Sequence, residues 1–264
     1  MSRAATLLSC LAGLVPTALA AADATGADDR IALSANGGSL TGTNGGGGGS
    51  LGWLHNFDAD TLAGLAVEHQ TLGPAQWTFG SLSGAVTRGD PDARYTLAGE
   101  VHQGGGRDAG KSFHYGIEAL DASATYYRHL TLLLEDRQID VERTHGNLPK
   151  AGASYLWTPH LQTSLSYAYS FGGNLDTRLS TARVDVFTAP VNLILGAGWG
   201  RAAGWVLGCS CVQPTTRFRE GYAGLGKTFP NRSELTLIGD YQDLGGSHRV
   251  TVTLNYIVHL ASRS

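Results

Sequence analysis

The sequence predicts an all-β fold, an antiparallel transmembrane β-barrel of about 14 strands, with 12 as the alternative. Three observations predict it. Of the 264 residues, 37 are Gly and only 16% are charged, whereas about 25% of residues are charged in a typical soluble domain. Apolar residues alternate with small or polar ones, which is typical of strands with one apolar face. Short turns alternate with longer, Gly-rich connections, as they do at the two ends of a membrane barrel.

The N-terminus has the three parts of a secretory signal peptide. A positive start at Arg3 is followed by an apolar run and then by small residues up to Ala20. We therefore expect a signal peptide over residues 1–20 and a single barrel domain over residues 21–264. A transmembrane anchor is the alternative, but Pro16 and a run of only about 15 residues argue against it, since a spanning helix needs about 20.

Five segments show the strand alternation most clearly. In each of them a row of apolar residues is expected to face lipid, and a row of small or polar residues is expected to face the barrel interior. The apolar rows run from Thr163 to Phe171, from Val250 to Leu260, from Val191 to Trp199, from Tyr95 to Val101 and from Phe113 to Ala119.

The connections give the strand count. Six tight turns are expected at Asp58-Ala59-Asp60, Gly89-Asp90-Pro91-Asp92, Asp121-Ala122-Ser123, Thr158-Pro159-His160, Thr188-Ala189-Pro190 and Pro230-Asn231-Arg232. Seven looser connections are expected near residues 36–49, 72–76, 104–111, 143–150, 172–177, 200–216 and 243–248. Thirteen connections join 14 strands, and an even number returns both termini to one side of the membrane. The stretch from Asp121 to Arg143 fits least well, and Arg128 is expected at the turn end of the barrel.

Aromatic residues lie near the predicted strand ends, as they do at the two interfaces of a membrane. They are Trp53, Phe57, Trp77, Phe79, Tyr126, Tyr155, Trp157, Phe171, Trp199, Phe229 and Tyr256. A soluble β-sandwich also alternates, but its polar face would carry more Lys than the three in this chain. The formal net charge of −3 argues against nucleic acid as a partner, because nucleic-acid binding requires a basic surface.

The signal peptide, the row of hairpins and the last strand from Val250 to Leu260 resemble those of Gram-negative outer-membrane β-barrel proteins. More narrowly, the length and the hairpin from Asp140 to Trp157, followed by Thr158-Pro159, resemble those of YaiO-type barrels, which are found alongside surface-polysaccharide systems. The chain departs from such barrels in ending on Ala261-Ser262-Arg263-Ser264, because they usually end on an aromatic residue that the assembly machinery reads.

The resemblance implies a location in the outer membrane and a porin-like, non-enzymatic function. The barrel would be a passage or docking element for surface polysaccharide or other envelope solutes. Its partners would be outer-membrane lipid, the barrel assembly machinery and polysaccharide. An outer-membrane enzyme acting on lipid or glycan is one alternative, and a closed structural or adhesive barrel is another.

The candidate site residues are polar side chains expected to face the lumen: Glu100, His102, His114, Glu118, Arg183 and Asp185. A His–carboxylate cluster could bind a metal or act as an acid–base pair. A charge-compensated lumen explains the same residues and is the interpretation we favour. We therefore expect no catalytic residue, no metal and no cofactor, and we assign no role to Cys209 and Cys211. The enzyme alternative would need a Ser beside a His, as at Ser112 and His114 or at Ser247 and His248.

Overall fold

The computed structural model describes residues 28–42, 45–90, 92–141, 144–188, 190–205 and 212–260. The predicted signal peptide, Cys209 and Cys211 lie outside these residues. The strands of the described part are β1 (Asp28–Leu40), β2 (Gly46–Asn56), β3 (Thr61–Leu72), β4 (Ala75–Asp90), β5 (Ala93–Asp108), β6 (Lys111–Tyr126), β7 (Leu130–Val141), β8 (Thr144–Asn147), β9 (Lys150–Thr158), β10 (Leu161–Tyr169), β11 (Arg178–Thr188), β12 (Val191–Trp205), β13 (Val212–Thr228), β14 (Glu234–Asp243) and β15 (His248–Leu260).

The sheet closes on itself as an antiparallel barrel. Neighbours in sequence pair with each other, and β1 pairs with β15 from Asp29–Leu260 to Leu40–Arg249. β8 is a four-residue strand that pairs with the end of β7, while β9 continues the wall beside β7. The barrel wall therefore has 14 strands, β1–β7 and β9–β15, which confirms the predicted fold and count. Among the described residues, no helix is long and apolar enough to cross a bilayer.

The connections sort to two ends of the barrel, which we name the turn end and the loop end. The turn end holds the connections after β2, β4, β6, β9, β11 and β13, together with the start of β1 and the end of β15. In the β2–β3 turn, the Asp60 N–H donates to Asp58 Oδ1 at 2.8 Å, and this hydrogen bond lowers the pKa of the Asp58 carboxyl.

One predicted turn is wrong. Residues 121–123 lie inside β6, which continues to Tyr126, and the turn to β7 comprises residues 127–129. The non-glycine residues Tyr127 and Arg128 have positive φ angles of 49° and 61°, so composition gave no turn signal there. Arg128 lies at the turn end, as expected.

Apolar side chains form an exposed girdle around the wall, as in a barrel surrounded by lipid. The expected outward rows on β5, β10, β12 and β15 are confirmed; Leu97, Leu165 and Val252 are 56%, 63% and 49% exposed. Of the aromatic residues expected at the interfaces, those that are outward and exposed include Trp53, Tyr155, Trp157, Phe171 and Trp199.

The wall extends beyond the girdle at the loop end. β4, β5 and β6 each have 16 residues, and a strand of that length, about 50 Å long, spans roughly 38 Å of height when tilted by about 40°. The apolar band of such a barrel is only about 25 Å tall. Because exposed apolar residues such as Val86 and Tyr95 begin beside the turn end, the excess length lies at the loop end.

The residue rows of β6 change character where the strand leaves the girdle. Towards the turn end, the inward row contains Asp121 and the outward row contains Leu120. Towards the loop end, the inward row contains Tyr115, which is fully buried, and the outward row contains His114, which is exposed. The prediction that the row Phe113–Ala119 faces lipid is therefore wrong. Above the girdle the outside of the wall is in contact with water, so the polar row faces solvent and the apolar row faces the barrel interior.

Candidate functional site in the barrel interior

At girdle height the interior is lined by polar and charged side chains on one wall. Here we define the inner charge cluster as Glu100, His102, Glu135, Arg137 and Lys150, on strands β5, β7 and β9. These positions face inward because they alternate with exposed residues on the same strands, among them Val101 and Leu134. All but Lys150 are buried, so each charge needs a partner within the cluster.

The inner charge cluster provides those partners. Arg137 Nε donates to Glu135 Oε1, and Lys150 Nζ donates to Glu135 Oε2 at 3.0 Å. Arg137 Nη2 also lies 3.7 Å from Glu100 Oε1, and His102 Nε2 lies 3.3 Å from the same oxygen. Two carboxylates of the cluster thus face two permanent cations and one histidine, and the inward Asp121, which lies across from Glu135, adds a third carboxylate beside them.

Strand β11, which β10 separates from β9, carries a second compensated pair. The Arg183 guanidinium donates through Nε and Nη2 to Asp185, with N–O distances of 2.7–2.9 Å. On neighbouring strands, Gln242 Nε2 donates to Glu220 Oε1 at 2.7 Å. Near these groups, the ring of Tyr222 lies so close to the backbone of Gly196 that a Cβ there would overlap it. A glycine at this inward position lets the phenol lie flat against the wall.

Two of the sequence-predicted site residues are not in the interior. His114 and Glu118 are exposed on the outside of β6, because Glu118 lies across from the outward Val101 and His114 from Gly105. Glu100 and His102 alone of that predicted group face inward. The predicted four-residue cluster is therefore wrong, and the polar outward row marks the part of β6 that stands above the girdle.

The loop end of the interior is apolar. We define the apolar cluster as the buried hydrophobic residues that meet there: Leu40, Leu72, Ala75, Trp77, Phe79, Tyr115, Ile117, Ile139, Leu148, Ala168, Leu175, Leu179, Phe218 and Leu244. Each is at most 6% exposed, so their side chains pack against one another across the barrel. The prediction that Trp77 and Phe79 lie at the membrane interface is wrong, because both side chains are buried in this cluster. Their outward neighbours Gln76, Thr78 and Gly80 were the available signal, because that row is too polar for lipid.

Loops complete the apolar cluster from above. Leu148, Leu175 and Leu244 lie in connections between strands. The segments that carry the first two are joined by backbone hydrogen bonds between Asn147 and Phe171 at 2.9 and 3.0 Å. The side chains of Leu148 and Leu175 thus reach the interior from two loop segments that these two hydrogen bonds hold together.

The contact between the two interior regions is aromatic. The rings of Phe79 and Tyr115 stack with centroids 4.8 Å apart and planes 14° apart. On its other side, Phe79 meets the His102 ring edge to face at 5.6 Å. His102 therefore touches the apolar cluster through its ring and the inner charge cluster through Nε2, and it marks the boundary between them.

A cavity of about 20 Å³ lies beside the apolar cluster, near the loop ends of β1–β4 and β15. Its lining includes Leu72 and Trp77 from the apolar cluster and polar groups of Gln70, Arg249 and Thr251. That volume suits about one water molecule, which polar lining groups of this kind can hydrogen-bond.

The two Ser–His pairs considered for the enzyme alternative do not form hydrogen-bonded pairs in the described part of the chain. There, neither Ser112 nor Ser247 forms a side-chain hydrogen bond with its predicted histidine, and His248 Nδ1 lies 2.9 Å from Tyr241 Oη instead. No group of three or more His, Cys, Asp or Glu in this part of the chain could hold a metal ion.

Solved structures share the fold, although no protein-family model and no curated protein sequence matches the chain. The monoaromatic hydrocarbon channel CymD superposes with a TM-score of 0.63 at 8% identity, over 96% of this chain and 93% of that one. The Pseudomonas putida toluene transporter TodX gives a TM-score of 0.56 at 8% identity, over 92% of both chains. Omp33 of Acinetobacter baumannii gives 0.53 at 11% identity, over 88% of this chain and 99% of that one.

These similarities show that the chain has the fold of Gram-negative outer-membrane β-barrels, and the exposed girdle suits a location in the outer membrane. The narrower resemblance to YaiO-type barrels is not confirmed.

Proposed function

We propose that the barrel is a non-enzymatic passage across the outer membrane for small, largely apolar solutes, and that the apolar cluster is its outer gate. The observation that carries the proposal is the burial of aromatic and aliphatic side chains inside the loop end of a barrel whose interior is polar at girdle height. Short turns face the periplasm in such barrels and loops face the exterior, so a solute from outside meets the apolar cluster first.

An apolar constriction discriminates by solvation. It loses water readily and so blocks ions and strongly hydrated solutes. Moving a hydroxyl or amide into it without a new hydrogen bond costs roughly 1–3 kcal/mol for each group. A small apolar solute pays no such cost, and it can contact the faces of Trp77, Phe79 and Tyr115.

Several charged groups in the polar section below the gate are paired within the wall, in the inner charge cluster and in the Arg183–Asp185 pair. Between them, the inward residues of β9 and β10 are mainly small, as at Gly152, Ser154 and Ser166. Small side chains on this stretch of wall leave room for a solute beneath the gate.

The solved structures support a small apolar solute only in that hydrocarbon channels have the same fold as this chain. CymD and TodX are described as a hydrocarbon channel and a toluene transporter, and both superpose over nearly the whole chain. The resemblance to YaiO-type barrels instead predicts surface polysaccharide. We favour the small apolar solute because each sugar ring would bring several hydroxyls into the apolar cluster.

The proposal is tested in Gram-negative cells that produce the barrel, because the intact outer leaflet excludes apolar dyes. Uptake of the apolar dye N-phenyl-1-naphthylamine and hydrolysis of the charged β-lactam nitrocefin by a periplasmic enzyme are measured together. We expect the barrel to speed dye uptake several-fold over an empty vector and to leave nitrocefin hydrolysis unchanged.

Matched variants locate the path. Phe79→Glu places a charge in the apolar cluster and should abolish the gain, whereas Gln76→Glu, on the outward face of the same strand, should retain it. Heat-modifiable gel migration establishes that each variant is folded. The proposal is contradicted if a folded wild-type barrel speeds the uptake of nitrocefin or of an oligosaccharide. It is also contradicted if the folded barrel speeds the uptake of neither these solutes nor the dye.

A further inference from the structure

Four arginines stand together on the outer surface near the loop end. Arg178, Arg201 and Arg217 lie directly across from one another on β11, β12 and β13, and Arg219 lies one outward position below Arg217. We call these four residues the arginine row. All four alternate with inward residues and are exposed.

Like charges on facing strand positions repel and destabilise a sheet, yet this row has no counterion in the described part of the chain. No carboxylate there forms an ion pair with any of the four, and Asp243, which lies across from Arg219, is 3.9 Å from His248 instead. By contrast, Arg94 at the turn end lies 3.9 Å from Asp60. The arginine row therefore presents uncompensated positive charge to its surroundings.

The height of the row matches the lipid headgroups. Arg201 is ten residue steps along β12 from Val191, beside the turn end, or about 26 Å of height at about 3.4 Å per residue and a tilt of about 40°. That distance is close to the ~25 Å of the apolar band. Exposed Tyr169 lies across from Arg178 and exposed Trp199 across from Arg219, as expected of aromatic residues at a membrane interface. The Arg178 guanidinium lies over the Tyr169 ring, 5.3 Å from its centroid.

We propose that the arginine row binds the phosphate groups of anionic glycolipid in the outer leaflet. Guanidinium groups present paired N–H donors that match phosphate oxygens, and several adjacent ones can serve more than one phosphate. Exposed Leu195 and Leu225 lie on β12 and β13 below the row, and exposed Tyr167 lies on the adjacent β10, where acyl chains of the same lipid would pack. The opposite wall bears Glu118, Asp136 and Asp140 on its outward face, so the lipid is held on one side of the barrel.

This inference is independent of what passes through the lumen, and binding alone tests it. Full-length mature protein in detergent micelles is titrated with lipid A and, separately, with lipid A from which the phosphates have been removed. We expect the wild type to bind the phosphorylated form more tightly by about tenfold or more, because charge-assisted hydrogen bonds to phosphate are strong. Equal affinity of the wild type for both lipids overturns the proposal without any variant.

A variant and its control then identify the surface. The quadruple variant R178Q/R201Q/R217Q/R219Q should lose the preference for the phosphorylated lipid. Arg107→Gln, an exposed outward arginine near the loop end of β5 that lies across from Gln76 and Ser112, should keep it. A quadruple variant that migrates as folded and binds like the wild type overturns the assignment. Displacement of lipid A by an equal concentration of inorganic phosphate also overturns it, because the site would then select a free anion.

Discussion

The substitution Phe79→Ala tests whether the apolar cluster is a packed interior. Phe79 is 4% exposed and stacks on Tyr115 at 4.8 Å, although the sequence pattern assigns it equally well to the membrane interface. Removing a buried phenylalanine side chain costs about 3–5 kcal/mol in unfolding free energy, since both its transfer from water and its contacts are lost. The exposed Gln76 on the same strand is the control, and Gln76→Ala should change the free energy by less than about 0.5 kcal/mol.

Urea unfolding of the barrel in lipid vesicles measures these free energies. A double-mutant cycle with Tyr115→Ala adds a sharper criterion, because a stacked aromatic pair contributes about 0.5–1.5 kcal/mol beyond its buried area. Coupling of that size places the two rings in contact. If Phe79→Ala matches Gln76→Ala and shows no coupling to Tyr115→Ala, the reasoning that puts the ring inside the barrel is refuted.

Two further predictions concern the charges and the height of the wall. Glu135→Gln leaves Arg137 and Lys150 without their shared carboxylate, and unfolding in vesicles should show a loss of about 3–5 kcal/mol; a loss below about 1 kcal/mol would mean that solvent already screens the inner charge cluster. In a background with Cys209 and Cys211 replaced by Ser, His114→Cys should react in intact cells with a membrane-impermeant maleimide and Leu120→Cys should not. Equal labelling at both positions would place residue 114 no higher than the girdle.

Much of the fold follows from alternation and turn chemistry. The rows of β10 and β15 alternate cleanly because one side faces lipid and the other faces the polar interior. Turns with Asp or Pro, such as residues 58–60 and 159–160, were found at the predicted positions because those residues favour turns in themselves. The β6–β7 turn uses Tyr127 and Arg128, which carry no such preference, and Asp121 resembled a turn residue although it faces inward across from Glu135.

Of the four-residue cluster predicted on β5 and β6, the sequence placed only half correctly, and the reason differs from that for the turns. Alternation shows that two rows face opposite ways, but it does not show which medium lies on each side. Glu100 and His102 lie at the height of the girdle, where the outside of the wall faces lipid and polar residues therefore face the interior. His114 and Glu118 belong to the part of β6 that extends above the girdle, where the outside of the wall faces water and polar residues therefore face outward. The leucines at 148, 175 and 244 depend on how loops fold over the barrel, which a single sequence does not encode locally.

Single-channel conductance in a planar bilayer tests the gate most directly. If the apolar cluster closes the lumen, the wild-type barrel carries little ion current, and the double variant F79A/Y115A carries a larger and stable current because water can enter the space left by the two rings. Gln76→Ala should behave like the wild type. A wild-type barrel with a large, steady conductance that the double variant leaves unchanged would contradict an apolar gate.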